Sequence, residues 1–100
     1  MEKEKTYQVE KKAVVDFIKK IIKEVNGVHS IKGNLFGKNI RIKQTPEGAD
    51  IRLGIIVKRE ASVPAVVKEV QDKLKQEMEK TLGTVVKKID VAVKGIKFSS

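Results

Sequence analysis

The spacing of the apolar residues changes period along this chain of 100 residues, and each change implies a different element. Val14, Phe17, Ile18, Ile21, Ile22 and Val25 recur every three to four positions, which gathers them on one side of a helix. Lys12, Asp16, Lys19, Lys20, Lys23 and Glu24 fill the other side, so the sequence predicts an amphipathic helix over about Lys11 to Val25. Asn26-Gly27 then supplies the left-handed stop of a helix C-terminus. After a turn-rich stretch holding Gly33, Asn34, Gly37 and Asn39, the period drops to two. Ile40 and Ile42 alternate with Arg41 and Lys43; Ile51, Leu53, Ile55 and Val57 alternate with Arg52, Gly54, Ile56 and Lys58. Thr45-Pro46-Glu47-Gly48 between them suits a type I turn and makes the pair a hairpin.

The helical period returns after Ser62-Val63-Pro64, where serine can cap and proline is tolerated in the first turn. Val67, Val70, Leu74 and Met78 give the expected stripe, and Glu69–Lys73 and Lys75–Glu79 are opposite charges four apart. Gly83 ends this second helix. A last strand over about Val85 to Lys94 turns Ile89, Val91 and Val93 inward against Lys88, Asp90, Ala92 and Lys94. Thr6 to Val9 reads as a weak strand before the first helix, and the Glu/Lys run of residues 1–5 as a frayed start. One-sided helices and one-sided strands must cover each other. The expected fold is therefore α+β: one domain over residues 6–98, with two helices on one face of a three- to four-stranded, mostly antiparallel sheet.

Composition narrows the function. There is no cysteine, which excludes disulfides and thiolate metal sites. His29 is the only histidine, so neither a nucleophile–base pair nor a histidine zinc site can be assembled around it. The strand and turn acids Glu47, Asp50 and Asp90 form no evident acid–base pair, with Asp50 read as a turn residue. No glycine-rich phosphate loop occurs. The expectation is a protein without catalytic residues, cofactor or metal. The start carries no secretory leader pattern and no apolar run is long enough to span a membrane, so the expected location is the cytoplasm.

The net charge of +9 is unevenly distributed. Residues 27–59 hold seven bases and two acids and residues 85–100 four bases and one acid, while the second helix region, 60–84, holds four bases and five acids. With the alternating apolar residues turned toward the helices, the opposite sheet face would present Arg41, Lys43, Arg52, Lys58, Lys88 and Lys94 around Gly54, Ile56 and Ala92. These bases and Ile56 are the candidate partner-binding residues. The same lysines and arginines would also serve simply to keep a solvated sheet from sticking edge to edge. A basic surface suits an acidic protein, a second copy of the chain, nucleic acid or anionic lipid. Nucleic acid is the weaker fit, because sheet platforms for single strands stack bases on aromatics and none stands at an outward position.

Four segments, in order, resemble the alkaline shock protein family of Gram-positive bacteria. Lys23-Glu24-Val25-Asn26-Gly27-Val28 is similar to its Glu-Val-x-Gly-Val signature. Ala49 to Val57 resembles its strand before the second helix, and Val63-Pro64-Ala65-Val66-Val67 its Ile-Pro-x-Val-Ala helix opening. Leu82-Gly83-Thr84-Val85 followed by Ile89 to Ile96 resembles its closing valine-alternating strand. The resemblance covers residues 7–98 and implies a non-enzymatic cytosolic adaptor linked to envelope stress. It would act through protein partners, among them a membrane anchor protein, and through self-association, on the inner side of the cell membrane. Two features depart from the family: Lys58-Arg59-Glu60-Ala61 stands where many relatives have a glycine, and this chain is basic where relatives are often acidic.

Overall fold

The computed structural model describes residues 11–32 and 40–98. Helix α1 covers Lys11–Lys23, strand β1 Val28–Ile31, β2 Ile40–Thr45, β3 Gly48–Lys58, helix α2 Val63–Glu77 and β4 Val86–Lys97. A single π-helical turn, Met78–Leu82, closes α2 before β4. The expected α+β architecture is the one found, with both helices on one face of a four-stranded sheet. The weak strand at Thr6–Val9, the start at residues 1–5 and most of the turn-rich stretch lie outside the described residues.

Strand β3 organises the sheet. β4 runs parallel to it from Ala49↔Val86 to Lys58↔Lys97 and so occupies one whole edge. β2 and β1 therefore share the other edge, both antiparallel, with β2 beside Gly48–Leu53 and β1 beside Ile55–Val57. Lys32 N still donates to Gly54 O at 3.0 Å, and Ile40 resumes pairing at Leu53. The two short strands thus lie on one line, with residues 33–39 inserted between them. Parallel neighbours require a crossover connection, and α2 with its π turn provides it between β3 and β4.

The core lies between this sheet and the helices. α1 contributes Ile18, Ile21 and Ile22, followed by Val25; α2 contributes Val66, Val70 and Leu74, followed by Met78. The sheet answers with Val28, Ile40, Ile51, Leu53, Ile55, Val57 and Val86, all below 10% exposed. In α2 the buried position is Val66, and Val67, expected in the stripe, is only half-buried. The stripe 66, 70, 74, 78 follows strict steps of four, which one residue's ambiguity at the helix start concealed.

The ends of the elements are fixed by local chemistry. Ser62 Oγ accepts a long hydrogen bond from Ala65 N at 3.5 Å, and Pro64 sits in the first turn. Gly83 ends the π turn in the left-handed region, with φ +67. Gly27, at φ +97, ends the α1 region where no side chain would fit: a Cβ there would stand 2.6 Å from Val66 Cγ2. This contact brings the start of α2 against the end of α1, and the Lys73–Glu24 pair at 3.5 Å spans the same two helices. Lys73 thus reaches across to α1, whereas Lys75–Glu79 forms within the helix as expected.

Candidate functional site

The helix-free face of the sheet is built by strand alternation, and the pairing register shows which side chains share it. Arg41 on β2 stands directly opposite Arg52 on β3, and Arg52 lies beside Asp90 on β4. One step down, Lys43 stands opposite Asp50, which in turn lies beside Lys88. Facing positions on paired strands point to one side. Arg41, Lys43, Arg52 and Lys88 therefore form one basic cluster, away from the helices. All four are exposed, as is Lys58 where β3 ends beside Lys97.

Ile56 and Lys94 join the same face by a less regular route. The β3–β4 register shifts between Ile55↔Val93 and Ile56↔Gly95, which makes Lys94 an extra residue in β4. Its stem lies over Gly54: a Cβ at Gly54 would meet Lys94 Cγ at 2.9 Å and Cε at 3.1 Å. Glycine at 54 leaves room for that aliphatic stem to cross the strand. Ile56 Cδ1 similarly lies 3.3 Å from where a Cβ of Gly95 would be. The half-buried Ile56 is the apolar side chain toward the β1 end of this face, between Lys58 and the Lys94 stem over Gly54, while Arg41, Lys43, Arg52 and Lys88 gather toward the β2 end.

Two acids belong to this face as well. Asp90 Oδ2 lies 3.7 Å from both Arg52 and Lys88, so one carboxylate is shared by two bases. Asp50, expected in the turn, is instead the third residue of β3, and its Oδ1 is 4.0 Å from Lys87 Nζ. The face remains basic with these acids counted: Arg41, Lys43, Arg52, Lys58, Lys88 and Lys94 stand against Asp50 and Asp90. An open cleft of about 950 Å³ along the β2 side adds Lys11, Lys12, Lys19 and Asp16 of α1 to Arg41, Lys43 and Arg52. Such a collection of cations creates a positive surface potential.

Other features carry little chemistry. His29 is exposed, with Nδ1 3.2 Å from Ser30 Oγ. Among the described residues no group of three or more His, Asp or Glu side chains could hold a metal ion. No helix among them is long and apolar enough to cross a membrane. Hydrogen bonds from Lys75 Nζ at 2.8 Å and from Val86 N at 3.2 Å hold the Glu79 carboxyl below the usual range. That contact ties the π turn to the start of β4.

Comparison with known proteins agrees with this architecture. Among solved structures 38 chains match, including forms of MamM CTD. A manganese form is 16% identical, covers 86% of this chain and 99% of its own, and superposes with a TM-score of 0.66. A copper form is also 16% identical, with 86% and 98% covered and a TM-score of 0.65. At that identity the likeness concerns the fold alone. No curated protein matches the chain. A family model does match, over residues 1–98, nearly the whole sequence and all four segments singled out above; the chain belongs to the alkaline shock protein 23 family, of cell envelope-related function.

Proposed function

We propose that this protein is a non-enzymatic adaptor of the cell envelope that acts by protein–protein interaction, with the open sheet face as its contact surface. The observation that carries this reading is the gathering of Arg41, Lys43, Arg52, Lys58, Lys88 and Lys94 on the face the helices leave uncovered, with the half-buried Ile56 between Lys58 and the Lys94 stem. Apolar surface bordered by charged side chains is general in protein contacts. Charges at a rim govern encounter and partner choice more than stability. The expected partner is an acidic protein, and a small membrane-held one would place the adaptor at the inner surface of the membrane. Self-association through the same family fold is part of this reading.

The test is the triple variant Arg41→Glu, Arg52→Glu and Lys88→Glu, used as bait in a pull-down from a nuclease-treated, detergent-solubilised lysate. The expected result is loss of a stoichiometric partner that the unaltered chain recovers, with thermal unfolding nearly unchanged. Unaltered recovery would remove the sheet face from the reading. Recovery limited to ribosomal or nucleoid proteins, and lost as nuclease is increased, would assign the bases to nucleic acid.

A further inference from the structure

The large apolar side chains left exposed among the described residues all fall within residues 85–98: Val85 at 59%, Val93 at 36%, Ile96 at 45% and Phe98 at 64%. The position of α2 explains the trend along β4. Its hydrogen bonds to the strand come at the beginning, Gln71 Nε2 to Ile89 O at 3.1 Å and Lys75 Nζ to Val86 O at 3.5 Å. Val86 is buried there, and exposure of the helix-side residues then rises through Val91 to Val93 and Ile96. The same strand pairs with β3 alone among the described residues, so its outer edge offers a row of backbone donors and acceptors. A twelve-residue strand that, among the described residues, has one unpaired edge and an uncovered apolar strip is a template for an added strand.

Charge decides what would fit it. β4 carries Lys87, Lys88, Lys94 and Lys97 against the single acid Asp90, which already lies 3.7 Å from Arg52 and Lys88. A second copy paired edge to edge would bring its own lysines alongside, and like charges on paired strands repel. An acidic strand meets the opposite situation. We propose that the free edge of β4 accepts an extended acidic segment of a partner protein, in which Glu or Asp alternates with apolar residues. The segment's apolar side chains lie beside Val93 and Ile96 on the helix side, and its carboxylates face Lys88, Lys94 and Lys97 on the other. The proposal rests on the protein-interaction reading above and gives that partner a chemistry and a binding mode.

The experiment is an NMR titration of the isotopically labelled chain with a capped peptide of about eight residues, a common strand length, alternating Glu and Val. A Lys/Val peptide and a Glu/Val peptide N-methylated at every second residue serve as comparisons. The expected result at about 50 mM salt is amide perturbation concentrated in residues 86–98. Binding should weaken roughly tenfold for either comparison peptide, and for the Ile96→Asp and Lys94→Glu/Lys97→Glu variants. Lys68→Glu, on the exposed side of α2, should bind as before. Perturbation centred on Arg41, Lys43 and Arg52, equal binding of the N-methylated peptide, or no response at millimolar peptide would each overturn the proposal. So would sedimentation showing a self-association that Ile96→Asp abolishes, which would give the edge to a second copy. If the edge fails while the triple variant of the sheet face still loses its partner, the adaptor reading stands without this mode.

Discussion

Single residues in this protein separate steric from conformational constraint, and two glycines make the contrast measurable. Gly27 combines a positive φ of +97 with a neighbour, Val66 Cγ2, 2.6 Å from where a Cβ would stand. Gly83 has φ +67 and nothing within 4 Å. Gly27→Ala should therefore cost about 2–4 kcal/mol, adding backbone strain to overpacking. Gly83→Ala should cost about 1 kcal/mol, from the left-handed conformation alone. Urea unfolding of the two variants checks the order, and equal losses would contradict the close packing of α1 on α2. Glu79 gives a second residue-scale expectation. Its folded carboxyl is held below its ordinary range, first by Lys75 and then by Val86 N–H. A depressed acid favours the folded state above its unfolded pKa, and that contribution fades as pH falls through the lower, folded value. Chain stability should decline through this acidic interval, and Glu79→Gln should decline less steeply when followed by thermal unfolding against pH.

Elements show where pattern reading succeeds and where it fails. The stripe of α2 runs through Val66, Val70, Leu74 and Met78, with Val67 beside it. Val66→Ala should then cost about 2 kcal/mol and Val67→Ala less than half of that, because only the first is fully removed from water. The sequence alone favoured Val67, since both positions satisfy a three-to-four spacing at the first turn and the tight approach of Gly27 to Val66 is a tertiary fact. The alternation of β3 was legible because its inward residues, Ile51, Leu53, Ile55 and Val57, are apolar without interruption. It placed Arg41, Lys43, Arg52, Lys58 and Lys88 on one face correctly, since period two leaves no other choice. The direction of β4 was not legible: alternation does not distinguish parallel from antiparallel, and only the crossover by α2 settles it. Nor was the way Lys94 reaches the face. It does so through a shift in register, which leaves no mark in the apolar pattern. Asp50 was mistaken for a turn residue because it closely follows Pro46-Glu47, although β3 already begins at Gly48.

At the scale of the whole molecule the net charge of +9 sets two opposing electrostatic terms against each other. Attractive pairs such as Lys12–Asp16, Lys68–Asp72 and Lys75–Glu79 are at the surface, where each contributes at most about 1 kcal/mol. Repulsion among the bases on the sheet face and β4 is spread over many charges and is strongest when salt is low. Screening shortens from about 30 Å at 0.01 M to about 10 Å at 0.1 M, so added salt weakens distant repulsion more than pairs in contact. The thermal midpoint should thus rise by a few degrees over that range, since about 1 kcal/mol corresponds to roughly 4–8 °C in a domain of this size. The Arg41→Glu/Arg52→Glu/Lys88→Glu variant, whose formal charge falls from +9 to +3 because each reversal removes two, should show a flatter response. A midpoint that falls with salt in the unaltered chain would mean that its surface pairs outweigh the repulsion. The basic face would then be balanced within the fold rather than left as unspent attraction for an acidic partner.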